Sequence, residues 1–180
     1  LPTGSIGERD FSMMAGENIR LPYGMQLGSG SVEVRPGITW FQQFEQWSYG
    51  AQLSGRVPLD TNSQGYRLGS RKKFTSWTAR NLSDSQSVSL SLTHQRWSDI
   101  HGRDRDLTVS PLMNVGADPD KQAGWRTQVG VGYNFYARRG AIKGHRFALE
   151  YLLPVAESRD GPALSLERTL VFGWQKAYGP

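Results

Sequence analysis

The sequence predicts an all-β fold, an antiparallel transmembrane β-barrel of outer-membrane type with about seven strands in this chain. Three observations lead there. Apolar and polar residues alternate with period two over segments of about ten residues, twice the usual length of a strand in a soluble domain. Aromatic residues are plentiful (six Trp, seven Tyr and seven Phe) although only 37% of the chain is hydrophobic and the mean hydropathy is −0.53. The connections between the alternating segments are short and long in turn, as in barrels with tight turns on one side of a membrane and extended loops on the other.

The segments follow in order. Val32, Val34, Ile38 and Trp40 alternate with Glu33, Arg35 and Thr39. Trp47, Tyr49, Ala51, Leu53 and Val57 alternate with Ser48, Gly50, Gln52, Ser54 and Arg56. A weaker segment runs from Phe74 to Arg80. In the clearest one, Val88, Leu90 and Leu92 oppose Ser87, Ser89, Ser91 and Thr93, a pattern no helix can accommodate. Trp125, Thr127, Val129, Val131, Tyr133 and Phe135 oppose Arg126, Gln128, Gly130, Gly132 and Asn134; Phe147, Leu149, Tyr151 and Leu153 oppose Arg146, Ala148 and Glu150. The last segment sets Leu166, Leu170, Phe172 and Trp174 against Glu167, Thr169, Gly173 and Gln175.

Short links fall at 45–46, 82–85 and 138–144. Long ones fall at 58–70 and 98–122, and a medium one at 157–162. The whole chain, 1–180, reads as a single barrel domain with long outward loops at 7–30, which could also act as a plug, and at 98–122. Bacterial single-chain barrels have even strand numbers, so seven strands imply further N-terminal strands outside this sequence. Leu1 to Ile6 would be the tail of one of them. An eight-stranded barrel using the N-terminal segment is the alternative.

Composition removes other classes. No run approaches the ~18 consecutive apolar residues of a spanning helix, so a bilayer could be crossed only by strands. Twenty-one glycines and nine prolines interrupt any helical pattern. Cysteine is absent, which removes disulfides and thiolate metal sites. No charged segment followed by an apolar one marks a leader, so a mature chain or a fragment is expected. The net charge of +5 is scattered among aromatics rather than gathered in a stripe, with Arg71-Lys72-Lys73 the one tight cluster, and nucleic acid is not an expected partner. No nucleophile elbow, zinc-protease or phosphate-loop motif occurs, and neither an enzyme nor a cofactor is expected.

Several segments together carry a resemblance. Leu1-Pro2-Thr3-Gly4-Ser5-Ile6, Leu21 through Gly30 (LPYGMQLGSG), Gly65-Tyr66-Arg67-Leu68-Gly69, Ala117-Asp118-Pro119-Asp120 and Gly144-His145-Arg146 resemble the outer-membrane transporter family associated with the meta-pathway of phenol degradation. The similarity runs over nearly the whole chain. It implies a longer barrel of which this is the C-terminal part, located in the bacterial outer membrane. A departure is the end of the chain, which continues past Tyr178 to Gly179-Pro180.

Candidate residues follow from the alternation. With the apolar faces toward lipid, the polar faces would line a lumen with Glu33, Arg35, Gln52, Arg56, Arg126, Gln128, Asn134, Arg146, Glu150 and Glu167. An excess of arginine there would favour small anions or aromatic acids. The competing reading is that Arg–Glu pairs fill and close the lumen, as side chains do in narrow barrels; that would suit a structural or docking barrel. Trp40, Trp47, Trp97, Trp125 and Trp174 sit at segment ends, where an interfacial girdle would place them. Asp99, Asp104, Asp106, Asp118 and Asp120 are oxygen donors in the long loop and weak candidates for a divalent ion, with solvated loop carboxylates the plainer reading. The expected partners are outer-membrane lipid and lipopolysaccharide, a small solute, and a homo-oligomer or larger surface assembly.

Overall fold

The computed structural model describes all residues except 1–3, 14–15, 109–113, 162–164, 166 and 177–180. It is all-β and antiparallel, with three short 3-10 turns. The strands are β1 (Arg9–Ser12), β2 (Glu17–Arg20), β3 (Glu33–Val34), β4 (Gly37–Gln43), β5 (Trp47–Pro58), β6 (Tyr66–Arg67), β7 (Arg71–Ser83), β8 (Gln86–Trp97), β9 (His101–Gly102), β10 (Gly124–Tyr136), β11 (His145–Arg159) and β12 (Thr169–Lys176).

The main sheet is a meander in the order β12-β11-β10-β8-β7-β5, with β3 and β4 both on the far side of β5. Val34 pairs with Val57 and Gly37 with Ser54. The register is therefore continuous, and β3 and β4 are one strand interrupted at Pro36, which has no N–H to give. Seven strand lines thus match the seven alternating segments in order. Leu166, expected in the last of them, lies outside the described residues. The five inner strands run 12 to 15 residues.

The expected closed barrel is not found among the described residues. The sheet ends at the β3–β4 line on one side and at β12 on the other, and neither edge pairs with another strand. The alternative of an eighth strand from the N-terminal segment is also not seen. Within 7–30, expected as one long loop, β1 and β2 form a separate hairpin.

The ladder is irregular at two places. Pro154 sits where β11 bulges, the register to β10 shifting between Thr127 and Gln128; bulges tolerate a residue that cannot donate. A second irregularity falls between Asn81 and Ser83, at the β7–β8 turn.

The two faces of the sheet are unequal in the opposite sense to a soluble domain. On β8 the apolar-side residues Val88, Leu90 and Leu92 are exposed, while Ser87, Ser89, Ser91 and Thr93 are half-buried. The same holds on β10, where Val131 and Tyr133 are exposed and Gly130 and Gly132 buried. Ile38, Leu170 and Phe172 are 73%, 66% and 67% exposed. The accessible surface of 12239 Å² compares with about 8,700 Å² for a folded soluble monomer of this mass.

The buried core lies instead among the connections at one end. Tyr23, Tyr66 and Ile100 cluster there, with Leu68 and Leu107 against them, and the Tyr23 and Tyr66 rings meet edge to face at 4.9 Å. The N-terminal segment, the 59–70 connection with β6 and the 98–123 connection with β9 meet in this cap; β6 and β9 pair with each other. All the long connections emerge at the cap end of the sheet and all the short turns at the other.

Candidate functional site

On the polar face the meander brings Arg, Glu and Gln side chains of several strands together. Cross-strand register fixes which residues share it. Gly50 faces Trp77, Gln52 faces Thr75 and Arg56 faces Arg71; Thr75 faces Thr93 and Trp97 faces Arg71; Gln95 faces Arg126, and Ser91 faces Gly130. Gly132 then faces Glu150, and Gly124 faces Arg159. Arg71, Trp77, Gln95, Trp97 and Arg159 thus join the face that period-two reading assigned to Glu33, Arg35, Gln52, Arg56, Arg126, Gln128, Arg146 and Glu150.

Three glycines clear lanes across this face. At Gly50 a Cβ would enter the Trp77 ring. At Gly130 a Cβ would lie 2.7 Å from Glu150 Oε1, and through that gap Ser91 Oγ donates to Glu150 Oε1 at 2.8 Å. At Gly124 a Cβ would lie 2.9 Å from the Trp97 ring and 2.7 Å from Ser158 O. The Trp97 indole therefore crosses β10 and lies under the Arg159 guanidinium at 5.8 Å, within cation–π range.

Charged groups concentrate toward the cap. Arg56 pairs with Glu33 at 2.6 Å and Arg35 reaches the same carboxylate at 3.4 Å. Arg126 pairs with Glu157 at 3.0 Å, and Arg159 lies 3.7 Å from that carboxylate. Mid-sheet contacts are mostly neutral, such as Gln52 Nε2 to Thr39 Oγ1 at 2.9 Å and Thr75 to Thr93 at 3.2 Å. At the turn end Arg146 donates to Asn134 Oδ1 at 3.1 Å, beside a cavity of about 570 Å³ that Glu45 and Gln175 also line. Those two residues lie on opposite flanks of the sheet, so its turn end curls toward the polar side.

Two assignments need correction. Glu167 precedes β12 and is exposed outside any strand, because the last strand begins only at Thr169. Trp97 does not belong with an outward girdle: it shares the parity of Thr93 and Gln95 and is drawn to the polar face by Arg159 and the Gly124 gap. Trp40, Trp47, Trp125 and Trp174 do lie on the apolar face. Near the short turns Trp47 stacks on Tyr49 at 6.2 Å, and Trp174 Nε1 meets His145 Nδ1 at 2.8 Å. Nearer the cap, Trp125 lies 5.8 Å from His94.

The loop carboxylates are mostly committed within the cap. Asp104 is not solvated: it is buried and pairs with buried Arg20 at 2.9 Å, while its backbone N–H donates to Tyr23 Oη at 3.1 Å. Asp106 lies within 4 Å of Arg9 and Arg20. Asp118 caps the 3-10 turn Pro119–Lys121, Asp120 lies 3.9 Å from Arg103, and Asp99 accepts from the backbone N–H groups of Gln122 and Ala123. Among the described residues no three potential ligands converge on a metal position. Burial pushes the Tyr23 and Tyr66 phenols above their ordinary range.

Sequence reasoning missed Arg159 because Pro154 and the adjacent bulge end the visible alternation at Leu153. It missed Arg71 because the segment was begun at Phe74, and Trp77 because no face was assigned within that weak segment; extending the period backward from Trp77 through Thr75 reaches Arg71.

No protein-family model matches the chain, and no curated protein is significantly similar to it.

Proposed function

We propose that the sheet is part of the wall of an outer-membrane β-barrel that passes small, preferentially anionic solutes along its polar face. The observation that carries this reading is the inverted polarity of the sheet. A row of exposed aliphatic and aromatic side chains, backed by half-buried Ser, Thr, Gln and Arg, is unstable against water and suited to hydrocarbon. Strand length supports it: 12 to 13 residues extend about 40 Å, which at a tilt of about 40° covers a hydrocarbon layer of about 30 Å. Trp40, Trp47 and Trp174 near the short turns, and Trp125 nearer the cap, occupy positions where interfacial rings anchor such a wall. Closure would then be made at the β3–β4 line and at β12. The segments that resemble the outer-membrane transporter family favour the same reading.

The test is single-channel conductance of the full-length protein in planar bilayers, with small anions and small cations compared. Steady, anion-favouring current that falls when Arg56 and Arg126 are replaced by Gln is the expected result. A folded but silent protein would overturn the channel and favour a docking or structural barrel. A specific feature points to that second reading: the cap crosses the mouth of the polar face, and Glu33–Arg56 and Arg126–Glu157 already pair beneath it.

A further inference from the structure

Between the cap and the end of the sheet lies a cavity of about 490 Å³, a size that suits a small organic ligand. Its two walls differ in chemistry. The sheet contributes Arg71, Arg126, Arg159, Gln95 and Trp97, and the cap contributes Tyr23, Leu68, Ile100 and Val115 beside Gln26, Gln122 and Lys121. Among the described residues four cations line the space and no carboxylate does. The cavity at the turn end is the reverse, with Glu45 and Asp84 against Arg146.

The guanidinium donors are not used up. Glu157, beside them on the same face but outside the cavity lining, engages Arg126 and Arg159 through one oxygen, Oε2. Glu157 itself demonstrates that a carboxylate fits this pair of guanidiniums, and planar guanidinium donors match a carboxylate's two oxygens.

We propose that this cavity is a binding site for a small amphipathic carboxylate, its acid group held by Arg71, Arg126 and Arg159 and its apolar body against the cap wall of Tyr23, Leu68, Ile100 and Val115. The inference rests on the channel reading only in making the site a stop on the solute path; binding can be measured without conduction. Inorganic anions would meet the cations but not the apolar wall, and neutral molecules would meet the wall but bring no charge to the guanidiniums.

The experiment is isothermal titration of the full-length protein in lipid nanodiscs with hexanoate, compared with hexanamide, acetate and inorganic phosphate. Hexanoate is expected to bind at least about tenfold more tightly than each of the other three, and Arg159→Gln or Arg71→Gln to weaken it about tenfold, the scale of one lost charge-assisted contact. Arg138→Gln, at the turn end of the sheet where Arg138 pairs with Asp84, is expected to leave hexanoate binding unchanged. Equal affinity for hexanoate and hexanamide, or no hexanoate binding at millimolar concentration, would overturn the proposal without any variant. Phosphate binding as tightly as hexanoate would overturn the amphipathic ligand and leave a plain anion site. The two readings fail separately: a conducting barrel that ignores hexanoate defeats the site, and a silent barrel that binds it defeats the channel.

Discussion

At the residue scale, the glycines of the polar face are defined by what crosses them. Gly50 lies under the Trp77 ring, and Gly130 opens the path from Ser91 to Glu150. Gly50→Val would eject Trp77 from its seat, and overpacking of this kind costs about 1–3 kcal/mol. The expected outcome is a lower urea midpoint for unfolding from lipid vesicles, with no loss for Gly37→Val, where a Cβ meets only ordinary contacts of 3.7 Å. The buried Arg20–Asp104 pair makes a sharper case. Asp104→Ala leaves the guanidinium of Arg20 buried with Asp106 3.8 Å away as its nearest remaining carboxylate, a change that costs about 3–5 kcal/mol where a buried pair is broken. Faster amide hydrogen exchange across residues 20–25 and 100–108, with the main sheet unaffected, is the expected signature; unchanged exchange would show that the cap does not depend on the pair. The phenols of Tyr23 and Tyr66, raised by burial, add a pH term with a definite sign. A group whose folded pKa lies above its unfolded value of about 10 costs nothing below that value, and its stabilisation is lost as pH rises past it toward the folded pKa. The cap should therefore loosen above about pH 10, and Tyr23→Phe should reduce that loss.

At the element scale, the two faces of a strand predict opposite tolerances. On β8, Leu90→Arg places a guanidinium on the exposed apolar face in the middle of the strand, and in a bilayer this costs about 2–4 kcal/mol. Ser89→Arg, one residue earlier, enters the polar face and should cost far less. Equal losses in vesicle unfolding would defeat the lipid-facing assignment. The strands were legible because period two runs through part of each: Val88 to Thr93 alternates without a break, and all seven strand lines fall where the alternation does. The cap was not legible. Its core residues Tyr23, Tyr66 and Ile100 stand far apart in sequence, within segments whose Gly, Pro and Asp content reads as open loop. What joins them is long-range pairing, such as β6 with β9 and Arg20 with Asp104, that no local pattern encodes. The candidate site divides in the same way. Arg56, Arg126 and Glu150 follow from alternation. Arg159 lies beyond a bulge, and Trp97, whose face follows from the parity of Thr93 and Gln95, reaches Arg159 only through the gap that Gly124 leaves in the neighbouring strand.

At the scale of the whole molecule, a sheet with its aromatic anchors on one side and tryptophans of a different kind on the other can be read from either side by quenching. Trp40, Trp47 and Trp174 share the apolar face, Trp40 being 58% and Trp174 61% exposed, whereas Trp77 lies over Gly50 and Trp97 lines the cationic cavity on the polar face. In a bilayer, lipids brominated near the interface should quench Trp40, Trp47 and Trp174 in variants that retain one of them as the only tryptophan. They should leave a lone Trp77 or Trp97 unquenched, because the sheet itself stands between those rings and the acyl chains. Iodide should reverse the order. As an anion it is drawn toward Arg71, Arg126 and Arg159 by long-range attraction that weakens with salt, so it should quench Trp97 more strongly at low ionic strength than at high, while acrylamide, which is neutral, shows no such salt dependence. A sheet exposed to water on both faces would give the opposite result, with iodide reaching Trp40 and Trp174 freely and brominated lipid reaching none of the five. Quenching of Trp77 by brominated lipid as strong as that of Trp40 would mean that the polar face also meets hydrocarbon, and a solute path along it would then be impossible.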